Sequence, residues 1–240
     1  MNFVKSIEEK IGFVIIQVQI KYRMWKEGNI MKSPNVSVYK VQMAYFFREK
    51  SEIRTFGLVS SLYNQFKDIF NTEPQSLPIP DDAPIEVPRC IWNDINTNVT
   101  FNKIRLDFTF NIPSKLSWES LLKEFNEKIK CALDEQVIVV DRVGLVVELT
   151  SENDLQDLLK PYIQIDKFNN ATEANISWLE KIDTYNVWTY FNINHSREIN
   201  KIVFDINSLP EDKLGDQGIS GGDAMNICSG LLKRKMINVL

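Results

Sequence analysis

The chain has 240 residues, 44% hydrophobic and 11% aromatic, so it can bury a sizeable core and is not expected to be disordered. Its net charge of −4 provides no global positive field to attract nucleic acid or an anionic membrane. The cysteines, Cys90, Cys131 and Cys228, are few and far apart, which excludes a disulfide framework or a CxxC metal site and favours a reducing cytoplasm.

Residues 1–30 have two interpretations. Lys26-Glu27-Gly28 can be encoded by AAGGAGG, a bacterial ribosome-binding sequence, and Met31 follows at the spacing of a start codon. Residues 1–30 would then be a non-native leader. The alternative is an N-terminal extension that forms a helix or strand, because Ser6 and Glu9 fit a capping box and apolar residues alternate over 18–24.

The first half of the chain predicts a strand, a helix and a hairpin. Asn35 to Phe47 alternates apolar and polar residues, as a strand with one buried face does. Over 55–70 apolar residues recur at steps of three and four, which predicts a helix. Its expected buried stripe is Phe56, Val59, Leu62, Tyr63, Phe66, Ile69 and Phe70. Five prolines between 74 and 88 then predict a packed loop or a sheet edge.

Residues 89–95 and 99–110 predict antiparallel strands around the turn Asn96-Thr97-Asn98. In the second strand, Val99 and Phe101 occupy odd positions, whereas the apolar residues from Ile104 to Phe110 occupy even positions. A continuous strand would therefore direct its apolar residues to both faces. We therefore predict a β-bulge near Asn102 and Lys103, which would restore one buried face.

The second half predicts a helix from about Ser117, a buried strand over 136–150, a helix from Ser151, and a linker over 166–175. Three strands, ISWLEKI, YNVWTYFNIN and INKIVFDIN, and a helix from about Asp223 follow. This order predicts an α+β fold, with a mainly antiparallel sheet and three or four packed helices. We expect an α+β domain over 31–150 and a smaller α+β subdomain over 151–240, which contains the three-strand meander.

The segment GDQGISGGDAM, residues 215–225, holds four of the nine glycines and is a candidate phosphate loop. It lacks Gly-Lys-Ser/Thr and the GxGxxG spacing, and Asp216 and Asp223 would repel a phosphate. We predict instead a bend, with a flexible connection to a helix whose N-cap is Asp223. No cofactor is expected.

No catalytic or metal-binding residue is assigned. The only histidine, His195, lies in a predicted turn without a nucleophile signature. Acidic pairs occur at Asp81-Asp82, Asp154 with Asp157, and Glu211-Asp212, where acids usually serve solubility. Asp141-Arg142 and Glu148 interrupt an apolar strand, so we expect internal ion pairs or a surface that faces a partner.

Aromatic residues are frequent in the C-terminal meander, at Trp178, Tyr185, Trp188, Tyr190 and Phe191. Packing in the core is the expected role of most of them. Joint exposure of the two tryptophans would indicate protein recognition, because large aromatic side chains anchor interfaces.

Four segments, YKVQMAYFF, FGLVSSLYNQF, PRCIWNDINTNVTFNKIRLDFTF and DRVGLVVEL, resemble a sporadically distributed family of uncharacterised bacterial proteins of similar size. The resemblance covers about residues 36–150. That family has an Arg-x-Gly-Leu-Arg-Tyr-like run, whereas Val146 follows Leu145 here. Its patchy occurrence implies mobile elements, toxin neutralisation or phage conflict.

The sequence thus predicts a non-enzymatic cytoplasmic protein-binding module, in bacterial defence, anti-defence or toxin neutralisation. Its expected partner is a protein, with a homo-oligomer as a further option, and neither membrane nor nucleic acid is expected. The alternatives are a metal-dependent hydrolase or nuclease that uses scattered carboxylates, and a sensor whose glycine segment closes over a small ligand.

Overall fold

A computed structural model describes residues 36–48, 55–80, 82–112, 117–151, 173–194 and 199–239. The strands are β1 (Val36–Phe47), β2 (Gln75–Ser76), β3 (Cys90–Asn93), β4 (Thr97–Phe101), β5 (Arg105–Asn111), β6 (Val140–Ser151), β7 (Glu173–Ile182), β8 (Tyr185–Asn194) and β9 (Ile199–Ser208). The helices are α1 (Thr55–Phe66), α2 (Trp118–Glu135) and α3 (Gly221–Val239).

The nine strands form one antiparallel sheet in the order β2-β3-β4-β5-β1-β6-β9-β8-β7. This confirms the predicted α+β fold with a mainly antiparallel sheet. Strands on both sides of the predicted boundary at residue 150 pair directly, since β6 lies beside β9. The division into two subdomains stays a prediction. The helix predicted from Ser151 does not include that residue, which ends β6. The rest of that helix, residues 1–30 and His195 lie outside the described residues.

One face of the sheet carries the core. Opposed residues on neighbouring strands point to the same face. A fully buried row therefore crosses five strands through Phe108, Met43, Leu145, Ile206 and Val187. The three helices complete this core with Leu58, Leu62, Phe66, Leu122, Phe125, Ile129, Met225, Cys228 and Leu232.

Along each strand, the residues between the core residues point to the other face of the sheet and lie outside this core. We call the surface that they form the open face. Its rows cross the same strands in register, one position along from the core rows. The open face comprises Lys40, Gln42, Ala44, Phe46, Arg105, Asp107, Thr109, Arg142, Gly144, Val146, Glu148, Ser177, Leu179, Lys181, Asn186, Trp188, Tyr190, Lys201, Val203, Asp205 and Asn207.

The predicted helix α1 is confirmed, but one residue of its expected stripe is wrong. Leu58, Leu62 and Phe66 are buried, whereas Phe56 is 77% exposed. At 100° per residue, Phe56 lies about 120° around the helix from Leu62, which is outside the buried stripe.

The hairpin predicted after residue 89 is confirmed, but its turn runs from Asp94 to Thr97 and not over Asn96-Thr97-Asn98, since Thr97 and Asn98 already belong to β4. The Asp94 backbone N–H donates to the Thr97 carbonyl at 2.8 Å. The predicted β-bulge is wrong. A second turn occurs instead, closed by the Asn102 N–H and the Arg105 C=O at 3.0 Å. The change of apolar parity therefore marks two separate strands, β4 and β5, rather than one irregular strand.

The proline-rich segment is a packed loop that contains the two-residue edge strand β2, as predicted. Prolines remove backbone donors, so the loop's carbonyl groups depend more on side-chain donors. The buried Arg89 donates to three of them, on Ile79 (3.1 Å), Pro80 (2.6 Å) and Ala83 (3.1 Å). One guanidinium thereby holds the loop against the hairpin.

Candidate functional site

The glycine segment is a bend, as predicted, but it is tightly packed and not a flexible connection. A Cβ atom at Gly215 would lie 2.5 Å from Val139, and one at Gly221 would lie 2.8 Å from Val140. Gly222 is pressed equally closely against the aliphatic part of Lys130. Gly218 has a φ of 69°, which favours glycine. Close packing and one left-handed turn therefore account for these glycines.

The predicted N-cap of helix α3 is wrong. The helix begins at Gly221, so the capping side chain belongs to Ser220 and not to Asp223. Ser220 Oγ accepts the Asp223 backbone N–H at 3.1 Å and donates to the Asp223 carboxylate at 2.6 Å. Hydrogen bonds from Ser220 and Lys130 lower the pKa of Asp223. The helix N-terminus, where a phosphate would bind, already holds this chain's own carboxylate.

Replacing Ser220 with alanine is expected to lower the free energy of unfolding by about 1 kcal/mol, because the Asp223 N–H loses its acceptor. Ser229, within the same helix, is the matched control, since Ser→Ala there only raises helix propensity. Urea denaturation measures both. Equal effects of the two substitutions would contradict the capping role.

Asp141 and Arg142, the adjacent charged residues that interrupt β6, lie in two different environments. Asp141 is buried and binds Arg48 at 2.8 Å, and Lys213 lies 3.9 Å away. Arg48 also binds Asp216 at 2.6 Å, which ties β1 to the glycine segment. The predicted internal ion pair is thus confirmed for Asp141. Its sequence neighbour Arg142 lies on the open face.

Glu148 forms the centre of a second polar cluster, on the open face. Its carboxylate accepts from the Tyr39 hydroxyl at 2.5 Å, binds Lys40 at 3.0 Å, and also pairs with Lys201. Burial by itself would raise the pKa of Glu148, but the hydrogen bonds from Lys201, Tyr39 and Lys40 outweigh it and lower the pKa to about 2. This carboxylate is therefore ionised and fully engaged, which unsuits it as a general base at neutral pH.

A row of two arginines and a phenylalanine lies at one end of the open face. Arg105 and Arg142 oppose Phe46 from the strands on either side of it. Their guanidinium carbons lie 4.7 and 5.0 Å from the centre of its ring. Arg105 also binds Asp107 at 2.6 Å. The row thus presents two preoriented guanidinium groups, a residue type enriched at protein interfaces.

The two tryptophans of the meander lie on opposite faces of the sheet and are therefore not exposed together. Trp178 is partly buried on the core side and stacks on Phe191 at 5.4 Å. Trp188 lies on the open face and stacks on Tyr190 at 5.7 Å. Its register partner Leu179 is 45% exposed. The half-exposed aromatic pair and Leu179 form an apolar patch at the other end of the open face.

The open face differs in charge from the whole chain. Among the side chains of this face that the structure describes, five are cations, Lys40, Arg105, Arg142, Lys181 and Lys201, and three are carboxylates, Asp107, Glu148 and Asp205. Burial raises the pKa of Asp205. The surface is therefore locally basic in a protein of net charge −4.

The remaining candidate residues do not converge. No group of three or more His, Cys, Asp or Glu side chains suited to a metal occurs among the residues that the structure describes. Glu211 lies 3.8 Å from Lys181 in an exposed ion pair. Asp81, Asp154 and Asp157 fall outside the described ranges. The three cysteines are free, and burial raises the pKa of Cys90 to about 11, which makes its thiol unreactive.

A groove of about 410 Å³ separates α2 from α3. The amide of its most buried polar residue, Asn126, is already engaged by the Tyr45 hydroxyl, the Gly222 carbonyl and Asn226. At its rim, Glu119 and Lys233 lie 3.9 Å apart. These polar groups of the groove are thus paired with groups of the chain itself, so the open face is the stronger candidate for function.

Comparison with known proteins adds no family. No protein-family model matches this chain, and no curated protein matches its sequence. Among the described residues, no helix is long and apolar enough to cross a membrane.

Proposed function

We propose that the protein is a non-enzymatic binding module that recognises another protein through the open face of its sheet. The observation that carries this proposal is the composition of that face. It presents arginine, phenylalanine, tryptophan and tyrosine side chains to the surface, while the polar groups that might have catalysed a reaction are already paired with one another.

The apolar end of the face suits the centre of an interface. Trp188 and Tyr190 hold each other in one orientation by stacking, so little side-chain entropy would be lost on binding. Leu179 extends the patch toward the sheet edge. Aromatic residues of this kind supply most of the binding energy in many interfaces.

The basic end determines which partners would be attracted. Arg105 and Arg142 are held in place by Phe46, and guanidinium groups bind carboxylates with two parallel hydrogen bonds. We therefore propose a partner that presents Asp or Glu side chains beside an apolar patch. Complementary charge of this kind raises the rate of association and excludes basic partners.

Replacing Trp188 with alanine is expected to weaken binding of that partner by about 2 kcal/mol, or roughly 30-fold. The partner is first recovered with wild-type protein from a nuclease-treated lysate of the encoding organism. It is then purified, and its affinity is measured by titration calorimetry. Arg105→Ala should weaken binding mainly by slowing association at low salt.

Phe56→Ala is the matched control, because Phe56 is an exposed aromatic residue on helix α1 and not on the open face. It should leave the affinity unchanged. Equal affinities for wild type, Trp188→Ala and Arg105→Ala would rule out the open face as the binding surface. Loss of all recovered material on nuclease treatment would point to a nucleic acid instead.

The biological setting of this proposal is the cytoplasm of a bacterium or its phage, in defence, anti-defence or toxin neutralisation. It is supported by the resemblance of residues 36–150 to a sporadically distributed bacterial family and by the free cysteines. Transcription of the gene together with a toxin or phage-defence gene would support it further.

A further inference from the structure

The two edges of the nine-stranded sheet are built differently. At one edge, β2 has two residues and lies between Pro74 and Pro78, which have no backbone N–H to offer. At the other edge, β7 has ten residues, contains no proline and pairs with β8 without a register shift. Proteins normally shorten or interrupt edge strands to prevent association. Only one edge of this sheet is protected in that way.

The outer side of β7 offers regular backbone groups. A two-residue turn joins Ile182 to Tyr185, so these residues form a hydrogen-bonded pair. Ile182 and every second residue before it therefore direct their backbone N–H and C=O groups toward β8. Those between them, Ser177, Leu179 and Lys181, direct theirs outward. No described strand pairs with this outer side.

The side chains of β7 complement a second β7. In an antiparallel pair centred on Leu179, that residue faces its own counterpart, and Ile176 faces Ile182. Lys181 faces Ser177, so no two like charges are opposed. Between 175 and 182 the strand carries one acid, Glu180, and one base, Lys181, so two copies do not repel each other. About six backbone hydrogen bonds would form.

We propose that β7 pairs with the β7 strand of a second copy of this chain. The two sheets then form one continuous antiparallel sheet, with both open faces on the same side, because the two-fold axis is perpendicular to the sheet. The dimer presents two Trp188 patches next to each other. This inference concerns the sheet edge and does not depend on the partner proposed for the open face.

Sedimentation equilibrium of the full chain is expected to give twice the chain mass. Leu179→Pro should give a monomer, because proline removes the central outward N–H while leaving the β8 side of the strand intact. Leu179→Lys and Leu179→Glu should each be monomeric, since each places like charges opposite one another. An equimolar mixture of these two variants should restore a heterodimer.

Gln75→Lys and Gln75→Glu, on the exposed β2 edge, are the matched controls and should leave the dimer intact. A wild-type monomer at high concentration would overturn the proposal, as would a dimer that persists in all three Leu179 variants. If the wild type is monomeric and Leu179→Pro abolishes binding of a different protein while Leu179→Ala does not, the edge receives that protein and not a second copy, because only proline removes the outward N–H as well as the side chain. If Leu179→Pro fails to fold, the mixing experiment still decides.

Discussion

Replacing Phe66 with alanine is expected to lower the free energy of unfolding by about 3–5 kcal/mol, the largest stability effect we predict. Phe66 is fully buried, and its ring lies within 5.0–6.5 Å of four others, measured between ring centres. These four belong to Phe70, Trp92, Phe108 and Phe125. The cluster joins α1, α2 and the sheet, so truncation leaves a cavity that they all line.

Chemical denaturation with a fitted m-value measures this effect. Phe56→Ala is the matched control in the same helix, and we expect it to change stability by less than about 0.5 kcal/mol because Phe56 is 77% exposed. If Phe66→Ala does not fold, Phe66→Leu should still cost at least about 1 kcal/mol. Similar effects at positions 56 and 66 would mean that the helix packs by a different face.

Replacing Glu148 with glutamine is expected to destabilise the protein by about 2 kcal/mol at neutral pH. The carboxylate is the shared partner of Lys40 and Lys201, which lie on the strands on either side of it. Without its charge, the two ammonium groups are left close together with no counter-ion. Glu211→Gln is the control, because its ion pair with Lys181 is solvent-exposed and should contribute less than about 0.5 kcal/mol.

This contribution should depend on pH in a defined direction. The pKa of Glu148 falls from 4.5 to about 2 on folding, so between these values the unfolded chain binds a proton that the folded chain does not. The stabilisation is therefore complete above pH 4.5 and is lost as the pH falls toward 2. The stability difference between wild type and Glu148→Gln should shrink over that range. A difference that stays constant down to pH 2 would contradict the ion-pair cluster.

Most elements of the fold could be predicted from local patterns. Alternation over β1, β6, β8 and β9, and the three-to-four spacing in α1 and α2, follow from the geometry of single strands and helices. Errors occurred where a competing local feature was present. The turn between Asn102 and Arg105 resembles a bulge in the sequence because the apolar residues change faces there. Asp223 resembles an N-cap, but Ser220 is three residues before it and Ser-x-x-Asp fits a capping box.

The candidate site was predictable only in part. Asp141, Arg142 and Glu148 could be found because charges in an apolar strand need partners. Phe46 was hidden in an apolar run, and Arg105 and Lys201 looked like ordinary polar positions of half-buried strands. The alternation within each strand does indicate their face, since Phe46, Arg105 and Lys201 each lie beside a buried position and so point away from the core. Nothing in a single strand shows which strands are neighbours.

The sequence by itself determined most of the secondary structure and the α+β class, because these depend on residues a few positions apart. Only the tertiary structure decided that Asp141 pairs with Arg48, 93 residues away, while Arg142 stacks on Phe46. It also decided that β7 is an edge strand and that Trp188 shares a face with the arginines. The physical reason is that strand order and register are set by packing and hydrogen bonding over the whole sheet, which no local pattern encodes.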